Sequence, residues 1–236
     1  MKMKNKNAKK LLIFSAHPDD NLSCAGTALF LKDKGFEISE VVFTAGEKSI
    51  NLSKSGKIPL RKIREKELNE ASKILETKNL YLLGQKDSNV QRTPKLLDEV
   101  IRIIRKEKPT IVICENPNDY HFDHRAVGSI VTEAVERAGW GISPELGKKY
   151  KTPVGLYMGS LIENERSDIL VDVTKYWEKK LKMMEAYGSQ LGSTAYDFNE
   201  GLGKYFGYYL RVKYAESFEI MKNYAVRLNT LIELLS

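Results

Sequence analysis

The chain has 236 residues, 29% of them charged and 42% hydrophobic, which suits one ordinary globular domain. Its formal charge is +7, but Lys2, Lys4, Lys6, Lys9 and Lys10 supply five of those charges ahead of residue 11, so the body is nearly neutral. That argues against nucleic acid as a partner, no apolar run nears the ~18–20 residues of a membrane span, and Cys24 and Cys114 are too few for a disulfide framework.

The expected organisation is a basic flexible tail over 1–10 and a single domain over 11–236. The lysine-rich start followed by Leu11–Phe14 faintly resembles a leader. The apolar stretch is too short, however, and runs straight into His17-Pro18-Asp19-Asp20. A cytoplasmic, reducing location fits two unpaired cysteines.

In chain order, Leu11–Ala16 is an unbroken apolar run, the pattern of a strand buried on both faces. A helix is expected from about Ser23 to Lys34, ended by Gly35. Glu37–Thr44 reads as a second strand, and the polar stretch 45–57 as a loop. A helix then starts near Pro59, with Leu60, Ile63, Leu68, Ala71, Ile74 and Leu75 on one stripe. Leu80–Leu83 is a short strand. Leu97, Val100, Ile101 and Ile104 mark a helix that Pro109 ends. Thr110–Cys114 is rich in β-branched residues and reads as a strand. Val127 to Ala138 marks another helix, stopped at Gly139.

This alternation predicts an α/β fold, a Rossmann-like, mostly parallel sheet with helices on both faces. The C-terminal third decorates it. Strands are expected at Val154–Met158 and Ile169–Val173, and helices at Lys175–Tyr187 and Phe218–Leu235. Between them, Tyr196, Phe198, Tyr205, Phe206, Tyr208 and Tyr209 form an aromatic stretch. Core packing or a contact in a homo-oligomer is the expected use, with stacking on a sugar face as the alternative.

Two polar clusters stand at expected strand ends, where open α/β sheets bind ligands. The first strand runs into His17-Pro18-Asp19-Asp20. The strand at Thr110–Cys114 is followed, after six residues, by His121-Phe122-Asp123-His124. These clusters hold all three histidines of the chain. Imidazoles with carboxylates suit a divalent metal: zinc, or else ferrous iron, manganese or cobalt. A carboxylate left over could take a proton from water, and a histidine left over could donate to an oxyanion. Singly, each cluster is also a common turn or helix cap. No P-loop occurs, and Gly201-Leu202-Gly203 lacks the spacing of a dinucleotide site.

Ala16-His17-Pro18-Asp19-Asp20 with His121-Phe122-Asp123-His124 resembles the LmbE-like, or PIG-L, family of zinc-dependent N-acetylglucosamine deacetylases. Further matches are Cys24-Ala25-Gly26-Thr27, Phe43-Thr44-Ala45-Gly46-Glu47, the Arg64 to Leu75 helix, Leu83-Gly84 with Asp87, and Lys180 with Ser189-Gln190. The resemblance implies that His17, Asp20 and His124 hold the metal. It implies Asp19 as general base and His121 as oxyanion stabiliser and proton donor to the leaving amine. Asp123 would orient a histidine, and Arg64 and Asp87 would contact a sugar hydroxyl or phosphate. After the helix, a glycine of the family pattern is replaced by Thr77 or Lys78, and two further positions depart from it: Asn21 replaces a glutamate, and Tyr187 a histidine.

The implied activity is hydrolysis of an N-acetyl group from a small-molecule amino-sugar conjugate. Hydrolysis of another amide or ester is an alternative, as is a non-catalytic sugar- or nucleic-acid-binding module. For Arg64 and Glu67 a surface ion pair is the plain alternative, and for Asp87 a turn.

Overall fold

The computed structural model describes residues 9–53, 58–151, 153–159 and 167–221. Seven strands form one sheet: β1 (Lys10–Ser15), β2 (Glu37–Thr44), β3 (Asn79–Gln85), β4 (Ile111–Cys114), β5 (Val154–Met158), β6 (Ile169–Asp172) and β7 (Ala215–Ile220). Six helices accompany them: α1 (Ala25–Asp33), α2 (Leu60–Leu75), α3 (Pro94–Glu107), α4 (Phe122–Ala138), α5 (Trp177–Ala186) and α6 (Ser193–Leu210). The strand order is β3-β2-β1-β4-β5-β7-β6. The first five strands pair in parallel, and β7 runs antiparallel to both β5 and β6.

The apolar run of β1 has a simple cause. Leu12 and Phe14 point into a core shared with α3 and α4. Leu11 and Ile13 point into a core shared with α1, α2 and α5. Alternate side chains thus face opposite layers, and both layers are apolar where Leu11 to Phe14 meet them. In α3, Thr93 accepts a hydrogen bond from the Leu96 amide (3.2 Å) with Pro94 in the first turn, which fixes where the helix begins.

The strand order reverses at β1: the chain moves outward through β2 and β3, then returns to place β4 on the other side of β1. The carboxyl ends of β1 and β4 therefore flank the crevice where such sheets bind ligands.

Two expectations change. Phe218–Ile220 is part of β7 and not the start of a helix. Phe218 is buried between β5 and β6, and the flanking Glu216 and Glu219 are buried against polar partners. Met221 lies in no helix, and residues 222–235 of that expected helix lie outside the described residues, as do residues 1–8 of the tail. The aromatic stretch is itself a helix, α6, although it carries Gly201, Gly203 and Gly207.

Candidate active site

At the end of β1 the chain turns sharply, and Asp20 closes the turn by accepting a hydrogen bond from the His17 amide (2.7 Å). The same oxygen, Oδ2, lies 3.2 Å from His17 Nδ1. It also lies 3.3 Å from His124 Nε2, brought in by α4. One carboxylate oxygen therefore stands between two imidazoles that are 107 positions apart in sequence.

The other ring nitrogens face carboxylates too. His17 Nε2 lies 3.3 Å from Asp123 Oδ2 and 3.4 Å from Asp87 Oδ1. His124 Nδ1 lies 3.2 Å from Asp119 Oδ1 and 3.7 Å from Glu115 Oε2. Asp123 is fully buried and accepts from the backbone amides of Ser88 (2.8 Å) and Val90 (3.0 Å). It thereby ties the first turn of α4 to the loop after β3. Asp87, in that loop, is buried and accepts from the Lys48 amide (2.7 Å).

His121 caps α4: its Nδ1 accepts from the Asp123 amide (3.2 Å). An amide always donates, so Nδ1 carries no proton and a neutral His121 bears its proton on Nε2. Burial, with His124 and His17 nearby, holds its pKa below the ordinary range and keeps the ring neutral. The three imidazoles are close neighbours, with ring centroids 4.7 Å apart for His121 and His124 and 4.9 Å for His17 and His121.

Asp19 turns away from this cluster onto Arg64, whose Nη2 donates to its Oδ1. The guanidinium is buried and also donates from Nη1 to the Gly46 carbonyl (3.1 Å) and to Gln190 Oε1 (3.2 Å). Gly46 has φ +66°, and a side chain there would occupy the space of the guanidinium. The Arg64–Glu67 surface pair is not formed. Glu67 is buried and accepts instead from Ser189 N and Oγ, each at 2.7 Å.

The electrostatics favour a cation. Burial opposes charge on His17, yet Asp20, Asp123 and Asp87 push it up to about 12. Burial likewise opposes charge on His124, and Glu115, Asp20 and Asp119 raise it to about 12. Burial pushes Glu115 up to about 8. Against its own burial, Asp20 is held low by His124 and His17. Burial raises Asp19, with Arg64 opposing.

This arrangement fits a divalent metal. Tetrahedral bonds of about 2.0–2.1 Å place neighbouring ligand atoms roughly 3.3 Å apart, the spacing seen from Asp20 Oδ2 to both imidazoles. His17 and His124 each have a carboxylate on the nitrogen that faces away from Asp20, the usual arrangement around a metal-binding imidazole. Three sets of side chains bring one possible ligand atom each within 4.8 Å of one another: His17, His121 and His124; His17, Asp87 and Asp123; and Asp20, Glu115 and His124. His17, Asp20 and His124 are spread over these sets and do not themselves form one.

Glu115 and Asp119 belong to this environment, yet the sequence singles out neither. Their only signal is position, between the end of β4 and the second histidine motif. The Asn21 and Tyr187 departures from the family pattern meet in space. Tyr187 OH donates to Asn21 Oδ1 (3.1 Å), and Asn21 Nδ2 donates to Glu40 Oε1 (2.7 Å). Thr77 donates to the other oxygen of Glu40.

A cavity of about 810 Å³ opens beside Asp19, Asp20 and His124 and extends to α6. Phe198, Tyr205 and Tyr209 on α6 are 46%, 56% and 60% exposed, so core packing is not their use.

The PIG-L (GlcNAc-PI de-N-acetylase) profile matches residues 12–135, which span β1 to α4 and both histidine motifs. The chain is 32% identical over 200 residues to a probable N-acetyl-alpha-D-glucosaminyl L-malate deacetylase 2 of Bacillus anthracis, covering 80% of this chain and 84% of that protein. It is 27% identical over 230 residues to the diacetylchitobiose deacetylase of Thermococcus kodakarensis, covering 89% and 82%. Among solved structures, the N,N'-diacetylchitobiose deacetylase of Pyrococcus horikoshii superposes with a TM-score of 0.81 at 25% identity, over 96% of this chain and 90% of that one. With the motifs, the fold and these relatives in agreement, the chain belongs to the PIG-L family of de-N-acetylases.

Proposed function

We propose that the protein is a metal-dependent hydrolase that removes the N-acetyl group from an N-acetylglucosamine-type conjugate, with acetate and an amine as products. The observation that carries this reading is the position of Asp20 Oδ2 between His17 Nδ1 and His124 Nε2, with Asp19 turned aside on Arg64. His17, Asp20 and His124 hold the cation, and Asp19 is free of that duty. Zinc suits two imidazoles and one carboxylate, and ferrous iron, manganese and cobalt suit them also. When bound, the cation supplies Lewis acidity toward the acyl oxygen and a source of hydroxide near neutral pH.

The residues then divide the work. Asp19 accepts the proton of the attacking water, and Arg64 fixes the rotamer from which it does so. His121 donates a hydrogen bond from Nε2 to the acyl oxygen as negative charge develops there. The proton that Asp19 takes from water is the one passed to the departing nitrogen, because a neutral His121 with Nδ1 held by the Asp123 amide has no second proton to give. Asp123 orients His17 through Nε2. Asp87 shares that nitrogen and, with Arg64, marks the side of the site where a sugar hydroxyl or phosphate is received.

The partner is a small amino sugar. Among the described residues, no helix is long and apolar enough to cross a membrane. The buried, unpaired Cys24 and Cys114 favour a reducing, cytoplasmic setting.

The test is metal analysis of the purified protein together with acetate release from N-acetylglucosamine conjugates. The expected result is about one divalent ion per active chain and acetate stoichiometric with free amine. A protein that takes up no divalent ion even after reconstitution refutes the reading. So does one that takes up metal but releases acetate from no such conjugate.

A further inference from the structure

Ser189 and Gln190 follow α5, and neither lines the cavity beside Asp19 and Asp20. Both are nevertheless tied to α2, the helix that carries Arg64. Ser189 is buried and donates to Glu67 from N and from Oγ, each at 2.7 Å. Glu67 stands three positions after Arg64, on the same side of that helix. Gln190 is thereby set beside the guanidinium, and its Oε1 accepts from Arg64 Nη1 (3.2 Å).

The same carboxamide takes hold of the loop after β2. Its Oε1 also accepts from Ser49 Oγ (2.5 Å), and its Nε2 donates to the Ile50 carbonyl (3.2 Å). The Leu52 amide donates to the Ser189 carbonyl (2.8 Å). Nearer to β2, the Gly46 carbonyl is the other acceptor of Arg64 Nη1 (3.1 Å), and the Lys48 amide donates to Asp87 (2.7 Å). Arg64 is therefore held on one edge by Gln190 and Gly46 and on the other by Asp19. It is 3% exposed and absent from the cavity lining, whereas Asp19 is part of that lining. The guanidinium reaches the site through Asp19.

We infer that Gln190 is a positioning residue for the general base, acting on Asp19 through Arg64. The reason is the rigidity of the arginine fork. Its N–H donors lie in one plane, so an anchor on Nη1 sets the direction in which Nη2 points. That direction decides where the Asp19 carboxylate rests. Asp19 directly precedes Asp20. Without a fixed guanidinium it would be free to leave the water it deprotonates and turn toward the imidazoles at Asp20. The charged bond from Arg64 supplies the restraint, and Gln190 keeps that bond aimed. This inference rests on the reading of Asp19 as the general base of a deacetylase and adds one residue to it.

The experiment uses the full-length, zinc-loaded protein and the N-acetylglucosamine conjugate from which the wild type releases acetate fastest. Gln190→Met keeps the length of the side chain and removes the acceptor, whereas Gln190→Glu keeps an acceptor for Arg64. The methionine variant is expected to lose about tenfold in kcat with KM within about twofold of wild type, because the lost interaction serves the transition state. The glutamate variant is expected to return to within about threefold of wild type, since a carboxylate also accepts from the guanidinium. In an Asp19→Asn background Gln190→Met is expected to cost less than about twofold, because residues that act as a unit are not additive. An unchanged kcat in the methionine variant overturns the proposal, whatever happens to KM. A glutamate variant no better than the methionine one does too, as does an undiminished loss in the Asp19→Asn background. If no conjugate releases acetate from the wild type, the deacetylase reading falls by itself, and the nitrogen-15 spectrum of the Arg64 guanidinium decides the positioning. Slow rotation of its Nη groups in the wild type and the glutamate variant, with fast rotation in the methionine variant, sustains it; equal rotation in all three overturns it.

Discussion

Asp19 and Asp20 are neighbours in sequence with different surroundings, and the difference assigns their duties. Asp20 touches two imidazoles, whereas Asp19 touches a guanidinium. Asp19→Asn keeps the shape and removes only the proton acceptor. It should bind metal as the wild type does and lose about 10²- to 10⁴-fold in kcat, the usual worth of a general base. Parallel metal titration and acetate assays check this, and near wild-type turnover would remove Asp19 from the mechanism. Asn21 poses a different test, because its amide joins Tyr187 to the buried Glu40. Asn21→Asp keeps the size, deletes the donor and sets a second carboxylate against Glu40. A buried charge without compensation costs about 3–5 kcal/mol, so urea denaturation should show a loss of that order. Adding Glu40→Gln returns one donor and one acid to the pair and should recover most of the loss; a double variant no more stable than the single would break the link. Both departures are visible in the sequence, but their contact is not, since 166 positions separate Asn21 from Tyr187. Glu115 and Asp119 escaped for the same reason: an isolated acid in a turn looks like any turn residue until a histidine is folded against it.

At the scale of elements, periodicity reveals what is buried on both faces and misses what is not. Glu37–Thr44 and Val154–Met158 are found with their bounds unchanged: the second carries no charged residue, and in the first Val41-Val42-Phe43 outweigh the buried Ser39 and Glu40. β7 was hidden because Glu216 and Glu219 interrupt its apolar pattern, and only the fold supplies their partners, Lys180 and Asn116. α6 was hidden because glycine and aromatic residues favour other structures, and tertiary packing outweighs that preference. The start of α4 is where structure and the proposed chemistry share one side chain: His121 caps the helix through Nδ1, which leaves Nε2–H for the oxyanion role proposed above. The two duties are separable by substitution. His121→Ala loses both, with about 1 kcal/mol of stability lost with the cap. His121→Asn restores an oxygen that caps well and should melt within a degree or two of wild type, yet both variants should lose about 10²- to 10³-fold in kcat. An asparagine variant of near-normal activity would show that the cap is the residue's whole contribution.

At the scale of the molecule, the site exists only when the sheet does. His17 and Asp20 follow β1, whereas His124 comes from α4 after β4, and the in-register pairing of β1 with β4 brings them together. In the unfolded chain His124 is more than 100 positions from the other two. A cation held by all three therefore binds the folded state far better than the unfolded one, and its binding energy adds to global stability. At a free concentration of about 100 times Kd the gain is roughly 2.7 kcal/mol. For a chain of this size each kcal/mol is worth about 2–4 °C in Tm, so stripping the protein with a chelator should lower its melting temperature by about 5–10 °C, and zinc should restore it. Asp20→Asn should abolish the zinc-dependent part, because that oxygen contacts both imidazoles, while Asp19→Asn should retain it. Scanning calorimetry of the three proteins with and without zinc tests the whole assignment at once. Equal shifts in the Asp20 and Asp19 variants would place the cation elsewhere, and no shift in the wild type would mean that the folded protein holds none.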